Sequence, residues 1–452
     1  MTATITFYGG AGTVTGANFL LEYDGHRVLI DCGAREREAL CVPENDADFA
    51  YDPASIEALI VTHAHQDHIG RIPRLVRDGF HGKVISTPAT KELSAIMFDD
   101  AIKVMQQESK RYGCPLIYEP EDTERAISLW RTHEYHESFE IGDASIGFLD
   151  AGHILGSALV KFTRGGKSII FTGDLGNSPE PLLRDTESPE GTSFLVMESV
   201  YGDRVHEERD ERRDLLRRAI EGARENGGTL LIPSFSLERT QILLYEIDGM
   251  IARKEMRPID VYLDAPLAER VTGVYEKHTK DLNDTAQKSF EHGGNPFEFT
   301  GLSVIKNVKE SSDIHNEPDP KVIIAGAGMS SGGRIRAHER RYLPDSKASV
   351  LLVGYQAPGS LGRRIQDGEK RVSIDGEEVT VRAKVSTLTG YSGHADRDQL
   401  MQFVEKTHET LVRAFIVMGE PKASAFLAQR LRDFYGVDAQ VPSAGEKVTI
   451  EW

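Results

Sequence analysis

The sequence predicts an α/β protein in which two differently built parts follow one another. Residues 1–203 contain short β-rich runs joined by tight turns, with two helical interruptions. From residue 204 onward, strand-like and helix-like segments alternate, a pattern typical of a parallel α/β unit. Hydrophobic residues make up 39% and charged residues 27% of the 452 residues, which is the composition of a folded globular chain. At ~150 residues per domain, this length predicts roughly three folding units or two large ones.

The first part begins with strands that are separated by glycine-containing turns. Runs rich in β-branched and aromatic residues predict strands at residues 4–8, 18–23, 27–31, 56–62, 139–149, 158–163, 168–172 and 193–199. Apolar residues at helical spacing predict a helix over residues 89–107. The turn at residues 164–167 joins two of the strands into an expected hairpin.

The second part opens with a highly charged helix, predicted over residues 207–226 and stopped by Gly227 and Gly228. Alternating strands and helices are then expected at residues 229–233, 237–253, 259–263 and 266–278, and strands at 321–325 and 349–354. Residues 281–320 have no clear period and are expected to be irregular. A hairpin around Asp375 and Gly376 is followed by predicted elements at residues 397–407, 414–417, 423–435 and 447–451.

The sequence excludes membrane and secreted proteins. Its longest apolar runs, such as residues 348–353, are far shorter than the ~20 residues of a membrane span. The first residues show no basic segment followed by an apolar one, so we expect no signal peptide. Cys32, Cys41 and Cys114 are an odd number without metal-ligand spacing, which fits a reducing compartment. The expected location is therefore the cytoplasm.

The charge balance leaves the question of nucleic-acid binding open. A net charge of -18 argues against a general nucleic-acid binder, whose affinity comes from Lys and Arg that neutralise phosphates. A basic groove can nevertheless lie on an acidic body. Residues 331–384 hold eleven Lys and Arg against seven acidic residues. Both a solvated surface and a substrate groove are compatible with this stretch.

The strongest chemical signal is the segment HAHQDH at residues 63–68, directly after an apolar strand. Alternate side chains of an extended segment point to one side, so His63 and His65 can face one metal ion together. Asp67 and His68 follow at a predicted helix start and can turn toward a second ion. Imidazole nitrogen with carboxylate oxygen is a zinc-type set of ligands.

Other strand ends supply the remaining ligands. His153 and Asp174 each follow a glycine after an apolar strand. Asp174 has two carboxylate oxygens and could bridge two ions ~3.5–4 Å apart. Such a pair of ions activates water to hydroxide and holds a phosphate oxygen.

These residues, with Asp31, resemble the metal site of the metallo-β-lactamase fold, an αββα sandwich of two sheets. The segments ESVYGD at 198–203, PSFSLERTQ at 233–241, GMSSGGR at 328–334 and GYSGHAD at 390–396 resemble the β-CASP branch of that superfamily. This branch processes nucleic acids and includes RNase J and the endonuclease subunit of the cleavage and polyadenylation specificity factor. The resemblance covers nearly the whole chain and implies the minimal two-domain form, without an RNA-binding KH extension. It implies a metallo-β-lactamase domain at residues 1–203, a β-CASP insert at 204–365 and a return to the first domain at 366–452.

The resemblance also implies roles for the site residues. His63, His65 and His153 would hold one ion, Asp67 and His68 a second, and Asp174 would bridge them. Asp31 would orient a ligand histidine, as neighbours of metal ligands commonly do. His394 would face the scissile phosphate as the general acid, and Glu198 would keep it charged and oriented. We therefore expect Asp67, His394, Glu198 and Asp31 to serve catalysis.

Substrate-binding residues are expected in the insert. Gly328, Gly332, Gly333 and Arg334 flank a predicted helix start after the strand at residues 321–325. Glycines let backbone N–H groups approach a phosphate, and a helix N-terminus favours an anion. The family context adds Ser234, Ser236 and Arg239 to the same groove.

One position departs from the family pattern. The family usually ends its metal site with a histidine in a Val-His-Gly-Glu segment, and this chain reads IVMGE at residues 416–420. A thioether is a poor partner for Zn²⁺ beside hard carboxylates, so Met418 would leave the second ion without its outer ligand. Water or another histidine would complete the sphere, or the second site is weak or empty, or the enzyme is impaired.

We expect a metal-dependent ribonuclease that hydrolyses phosphodiester bonds of single-stranded RNA in a cleft between its two domains. The expected cofactor is zinc, as two ions, with manganese as an option where the second site is loose. Minimal members of the family often pair, so a homodimer is also expected. A non-catalytic or weakly active partner subunit is the main alternative, because of Met418 and the acidic balance. A further alternative is a DNA or small ester or thioester hydrolase of the same fold.

Overall fold

The computed structural model describes residues 1–35, 40, 42–206, 211–291, 294–357 and 359–452. Cys41 and the predicted helix start at residues 207–210 lie outside these residues. The contacts divide the chain into two compact units. Unit 1 comprises Met1–Val205 and His394–Trp452, and unit 2 comprises His206–Gly393.

Residues 1–205 contribute most of the strands of unit 1. These are β1 (Ala3–Gly9), β2 (Asn18–Tyr23), β3 (His26–Ile30), β4 (Ala58–Ile60), β5 (Lys83–Ser86), β6 (Trp130–Thr132), β7 (Ser138–Ile141), β8 (Ala144–Asp150), β9 (Ala158–Arg164), β10 (Lys167–Phe171) and β11 (Phe194–Met197). The helices are α1 (Pro43–Asp46), α2 (Gln66–Ile69), α3 (Ile72–Arg77), α4 (Pro88–Tyr112) and α5 (Pro120–Ser128), with a 3₁₀ turn at Pro53–Ser55. Helix α4 contains the predicted helix. It begins where the Thr87 side chain accepts a hydrogen bond from the Thr90 N–H and ends at Gly113, whose φ is 72°.

Unit 2 is built around a parallel sheet. Its strands are β12 (Thr229–Pro233), β13 (Asp260–Asp264), β14 (Leu302–Val304), β15 (Lys321–Ala325), β16 (Ser349–Val353), β17 (Arg371–Ile374), β18 (Glu377–Thr380) and β19 (Lys384–Leu388). Its helices are α6 (Arg212–Asn226), α7 (Arg239–Ala252), α8 (Pro266–Lys277), α9 (Asp284–Glu291), α10 (Val308–Asp313), α11 (Ile335–Tyr342) and α12 (Leu361–Gln366), with 3₁₀ turns at Thr279–Asp281, Ile314–Asn316 and Thr389–Tyr391. Six parallel strands follow the order β14-β13-β15-β12-β16-β19, and β17 pairs with β18 as the predicted hairpin.

The chain then completes unit 1 with α13 (Arg397–Glu405), β20 (Arg413–Ile416), α14 (Pro421–Tyr435), β21 (Ala439–Gln440) and β22 (Lys447–Ile450). Unit 1 contains two seven-stranded sheets, in the orders β22-β1-β2-β3-β4-β5-β6 and β21-β20-β11-β10-β9-β8-β7. Buried residues of both sheets form one apolar cluster, including Phe7 and Phe19 of the first sheet and Phe171 and Phe415 of the second. The sheets therefore pack face to face.

Helices cover the outer faces of these sheets. Leu400 of α13 and Leu427 of α14 cluster with Leu195 of β11 on the second sheet. On the first sheet, Phe98 of α4 contacts Trp130 of β6, with ring centroids 6.4 Å apart. This arrangement is the αββα sandwich implied by the resemblance, and the parallel α/β insert is likewise confirmed.

Some details differ from the expectations. Residues 366–393 lie in unit 2, because β19 pairs in parallel with β16 at the edge of its sheet. The stretch 281–320 carries α9, β14 and α10 rather than irregular chain. Cys114 is disulfide-bonded and Cys32 is a free buried thiol, so the expectation of reduced thiols from spacing alone is wrong for Cys114. Among the described residues, no helix combines the length and apolar character that crossing a membrane requires.

Candidate metal and catalytic site

The predicted ligands of unit 1 meet because parallel strands end at the same edge of a sheet. In the first sheet β3 and β4 are parallel, and Asp31 follows the former while His63 follows the latter. In the second sheet Asp174 follows β10 and Glu198 follows the parallel strand β11. His394 reaches the same region through a β-bridge with Gly176. Backbone register therefore brings together residues that are far apart in sequence.

Four side chains form the first group of possible ligands: His63, His65, His153 and Asp174, whose ligand atoms lie within 4.8 Å of one another. The Nε2 atoms of His63 and His153 are 3.1 and 3.2 Å from His65 Nδ1. They are 3.4 and 3.5 Å from Asp174 Oδ2. Tetrahedral ligands with bonds of ~2.0–2.1 Å are separated by roughly 3.3–3.4 Å. The described atoms therefore already have the spacing of a tetrahedral metal site.

Asp67, His68 and Asp174 form a second group of possible ligands. His68 Nε2 and Asp174 Oδ1 are 3.3 Å apart, yet both are buried and neither forms a hydrogen bond. Asp67 Oδ2 lies 3.8 Å from the same imidazole nitrogen. Buried polar atoms without partners are costly, and a cation between them would satisfy both. The residues present thus fit a divalent metal at this group as well.

Asp31 holds two neighbours of the site in place. Its Oδ2 accepts hydrogen bonds from His68 Nδ1 at 2.6 Å and from the Thr62 hydroxyl at 2.8 Å. Its Oδ1 accepts the Thr62 N–H at 2.8 Å. Because the Thr62 hydroxyl donates to Asp31, its oxygen can accept from His63 Nδ1, 3.1 Å away. Both histidines are then oriented with Nε2 lone pairs toward the ligand groups.

Burial and charge set the protonation of this cluster. Burial lowers the pKa of His63, His65 and His153, which favours the neutral imidazole that binds metals. For Asp174, burial opposes ionisation, but the charges of His68 and His394 outweigh it and hold the pKa of the carboxyl well below its usual range. The first ligand group therefore presents three neutral imidazoles around an ionised carboxylate. Burial alone would lower the pKa of His68, but the charges of Asp174 and Asp31 outweigh it and raise that pKa well above its usual value, so a cation at the second group would replace this proton.

A third group consists of Asp174, Glu198 and His394. His394 Nδ1 is 3.2 Å from Glu198 Oε1 and 3.9 Å from Asp174 Oδ2. Glu198 is fully buried and accepts hydrogen bonds from the N–H groups of Leu175 and Val200. Burial alone would lower the pKa of His394, but the charges of Glu198 and Asp174 outweigh it and raise it to about 9. A charged imidazole beside the ligand groups is able to donate a proton.

Met418 follows β20, which is parallel to β11, so it lies at the same sheet edge as Glu198. It is buried in the apolar cluster between the two sheets, with a left-handed φ of 47°. A Cβ added to Gly10 would lie 2.6 Å from its Sδ and 3.0 Å from the ring of Phe19. The thioether thus packs against apolar atoms and the glycine backbone at this end of the sandwich.

The predicted substrate-binding residues lie in unit 2, at the carboxyl ends of neighbouring parallel strands. Ser234 and Ser236 follow β12, and Gly328, Gly332, Gly333 and Arg334 follow β15. The N–H of Ser234 donates to the carbonyl of Ala325 at 2.9 Å, which joins the two loops. Arg239 begins α7, is nine-tenths buried, and has an Nη1 without a hydrogen-bond partner in the described structure.

Arg334 and much of the basic stretch at residues 331–384 are engaged within the protein. Arg334 forms an ion pair with the fully buried Asp264 and donates to the carbonyls of Ile305 and Lys306. Ion pairs also join Arg336 to Asp375, Arg340 to Glu377, Arg363 to Asp367, Arg364 to Glu369 and Arg371 to Glu378. These pairs favour the solvated-surface interpretation of the stretch.

Sequence reasoning missed Thr62, which connects Asp31 to His63. A threonine between an apolar strand and a ligand histidine was the available signal, but its hydroxyl has a role only once Asp31 is beside it.

Comparisons with known proteins agree with this fold. Residues 11–233 match the metallo-beta-lactamase superfamily, residues 240–365 the Beta-Casp domain, and residues 378–442 a Zn-dependent metallo-hydrolase RNA specificity domain. Ribonuclease TTHA0252 of Thermus thermophilus is 37% identical over 98% of this chain and 99% of its own length. Transcription termination factor FttA of Pyrococcus abyssi is 32% identical over 97% of this chain and 70% of its own.

The chain belongs to the β-CASP branch of the metallo-β-lactamase superfamily, as its sequence motifs predicted. A solved structure of a protein of unknown function from Enterococcus faecalis V583 has the same fold, with a TM-score of 0.58 and 14% identity over 100% of both chains. The metallo-β-lactamase fold implies a divalent metal, and the cluster of histidines and aspartates of unit 1 is suited to bind one.

Proposed function

We propose that this chain is a metal-dependent ribonuclease that hydrolyses phosphodiester bonds of single-stranded RNA. The observation that carries the proposal is the convergence of two metal-ligand groups and a charged His394 on the carboxylate of Asp174. A relative that is named as a ribonuclease aligns with this chain over nearly the full length of both, which supports RNA as the substrate. So does the match to an RNA specificity domain at residues 378–442.

In this proposal His63, His65 and His153 would hold one zinc ion, Asp67 and His68 would hold a second, and Asp174 would contribute to both groups. Bound divalent cations supply a hydroxide at neutral pH and offset the charge of the phosphoryl oxygens. Asp31 orients His68 directly and His63 through Thr62. Because Met418 takes the position of the expected outer ligand, the second group would hold its ion more weakly than the first, and manganese could replace zinc there.

Two side chains of unit 1 provide the proton for the leaving oxygen. His394 donates the proton that the leaving oxygen needs when the phosphodiester bond breaks. Glu198 accepts a hydrogen bond from His394 Nδ1 and stabilises its charged form. Because Glu198 is itself fixed by two backbone N–H groups, the imidazole is held in one orientation before substrate arrives.

Cleavage of end-labelled single-stranded RNA by the purified chain, with added Zn²⁺ or Mn²⁺, tests this function. We expect metal-dependent products that are lost in Asp174→Ala. Glu198→Gln should retain bound metal but lower the rate roughly 10²- to 10⁴-fold, the usual contribution of a positioned general acid. Product lengths separate internal cuts from end-trimming.

If a folded, metal-loaded chain does not cleave RNA, the result would favour a non-catalytic partner subunit, which is the hypothesis that Met418 supports. An excess of single-stranded DNA that competes as well as RNA would favour a DNA substrate. The homodimer and the cytoplasmic location stay predictions. Sedimentation of the metal-loaded chain tests the former.

A further inference from the structure

The loops at the carboxyl edge of the parallel sheet of unit 2 expose an aromatic ring. Phe235 lies between β12 and α7 and is 39% exposed, although large apolar side chains are normally buried. Tyr355, in the loop after the neighbouring strand β16, is 42% exposed. Ligands of parallel α/β sheets bind at this edge, outside the carboxyl ends of the strands.

The loop that carries Phe235 is held firmly by α7. The Thr240 N–H and hydroxyl both donate to the Phe235 carbonyl, at 3.2 and 2.8 Å. Gln241 Nε2 donates to the Ser236 carbonyl at 3.2 Å. The backbone on both sides of the ring is therefore fixed, so the exposure of Phe235 does not come from a loosely held loop.

The ring also has a specific support. A Cβ added to Gly328 would lie 2.5 to 2.9 Å from three atoms of the Phe235 ring. The φ of Gly328 lies outside the left-handed region, so the glycine is required by the close approach of the ring and not by backbone conformation. The ring of Phe235 thus lies directly against the backbone of the glycine loop after β15.

Serines flank Phe235 in the sequence at positions 234 and 236, and the glycine loop contacts its ring. A protein-docking surface would instead need a contiguous apolar patch. Arg239, four positions further along the segment, is nine-tenths buried, and its Nη1 has no hydrogen-bond partner among the described residues. An exposed aromatic ring on a supported backbone is an element with which proteins bind single-stranded nucleic acid.

We propose that Phe235 stacks on a nucleobase of the single-stranded RNA substrate and so fixes the strand on unit 2. This inference rests on the proposed ribonuclease function and names one residue that recognises the RNA. Stacking is sequence-tolerant, because every base presents a π-face. Phe235 therefore contributes affinity and register on the strand without reading a particular base.

Equilibrium binding of fluorescently labelled single-stranded RNA tests the proposal, with all variants made in the full-length Asp174→Asn chain so that the RNA stays intact. Phe235→Ala should weaken binding roughly 5- to 150-fold, the range measured for stacked bases. Phe235→Trp should retain affinity and Phe235→Leu should not, because leucine is apolar but has no π-face. The dependence of affinity on salt should keep its slope, since no phosphate contact is lost.

The matched control is Phe434→Ala, which removes a 64% exposed phenylalanine from α14 of unit 1. It should leave RNA affinity unchanged. An RNA with one base removed at the stacking position should bind the chain with Phe235 less tightly than the intact RNA does. It should bind Phe235→Ala as tightly as the intact RNA does, so the losses of affinity from removing the ring and from removing the base should not add.

Three results would overturn the proposal while the ribonuclease function stands. These are equal RNA affinity of Phe235→Ala in a chain whose parent cleaves RNA, full rescue by leucine, and equal losses in Phe235→Ala and Phe434→Ala. Absence of both RNA binding and cleavage in the parent chain would overturn the proposed function and this inference together.

Discussion

Asp31 shows how one buried carboxylate can prepare a metal site without belonging to either ligand group. It has a left-handed φ of 58° and is 1% exposed, and its two oxygens accept three hydrogen bonds from Thr62 and His68. Its removal would leave buried donors without acceptors and would free both imidazole rings to rotate.

Asp31→Ala should therefore lower metal affinity about 10- to 100-fold, the usual effect of losing a residue that orients a ligand. Competition with a zinc chelator measures this affinity directly, without reference to activity. Asp433→Ala, which removes an exposed carboxyl on α14, is the control and should have no effect. Unchanged zinc affinity in Asp31→Ala would mean that packing alone orients His68.

We predict that Met418 limits how many metal ions the chain retains. The second group of candidate ligands consists of Asp67, His68 and Asp174. The family resemblance expects a further histidine where this chain has Met418. We expect the native chain to keep one zinc ion tightly and to lose a second on dialysis, because three protein ligands hold it less firmly than four.

Met418→His should increase the zinc retained after dialysis from about one toward two ions per chain. Elemental analysis by mass spectrometry measures the ratio. Met418→Leu conserves the apolar volume beside Gly10 and Phe19 and should leave the ratio unchanged. Two ions retained by the native chain would show that another ligand or water already completes the site.

The sequence predicted which side chains lie close together in unit 1, because HAHQDH is a local pattern and alternation in an extended segment is a reliable geometric rule. Their role as metal ligands stays a prediction. It could not predict the pairing of Arg334 with Asp264, which are 70 residues apart. The phosphate contact predicted for Arg334 stays a prediction, but its guanidinium already has protein partners. A local motif cannot reveal what another strand places beside it.

Helix α11 carries a buried carboxyl that is hydrogen-bonded to the glycine loop before the helix. Glu339 of α11 is fully buried and accepts a hydrogen bond from the Ser330 hydroxyl, and its other oxygen has no partner. Burial raises the pKa of Glu339 to about 8, so the folded protein holds a proton there that the unfolded chain releases at ordinary carboxyl pKa. The free energy of unfolding should then fall as pH rises from about 4.5 to 8.

Glu339→Gln removes this ionisation and retains an oxygen that accepts from Ser330. Urea unfolding at pH 5.5 and 7.5 should show a decline in stability that is smaller in Glu339→Gln than in the native chain by about 1–3 kcal/mol. Glu298→Gln, at an exposed carboxyl of the same unit, should keep the native decline. Equal declines in all three chains would mean that Glu339 is ionised when folded.

Elements were predicted where a strong period or a stop signal marked them. Helix α4 and the hairpin β17–β18 are of this kind. The short elements within residues 281–320 were missed, because α10 has six residues and β14 only three, too few to establish a period. The place of β19 was also not predictable, since pairing with β16 depends on residues more than 30 positions earlier.

For the whole molecule, the order of the strands determines which loops bring their candidate ligands together, and no local sequence pattern contains that order. The two ligand groups draw on loops after β4, β8 and β10. The family resemblance supplied this topology in advance, whereas period and composition alone predicted only two α/β parts.

That topology predicts where a bound metal stabilises the chain. The candidate metal ligands come from three separated loops of unit 1, and none comes from the described residues of unit 2. Binding of an ion to the folded state only, at a 100-fold excess over the dissociation constant, raises the free energy of opening by about 2.7 kcal/mol. Hydrogen exchange should therefore slow about 100-fold at the ligand loops when zinc is added to chelator-treated protein.

The hairpin β17–β18 of unit 2 is the internal control for this measurement, because its exchange should not change. Peptides covering residues 61–68, 150–157 and 172–178 should respond together, since each loop contributes ligands to the same cluster and opening any one of them releases the ion. Protection spread evenly over both units would place the stabilising ion elsewhere. Protection confined to residues 61–68 would mean that His153 and Asp174 do not share the ion, and the proposed bridging role of Asp174 would fail with it.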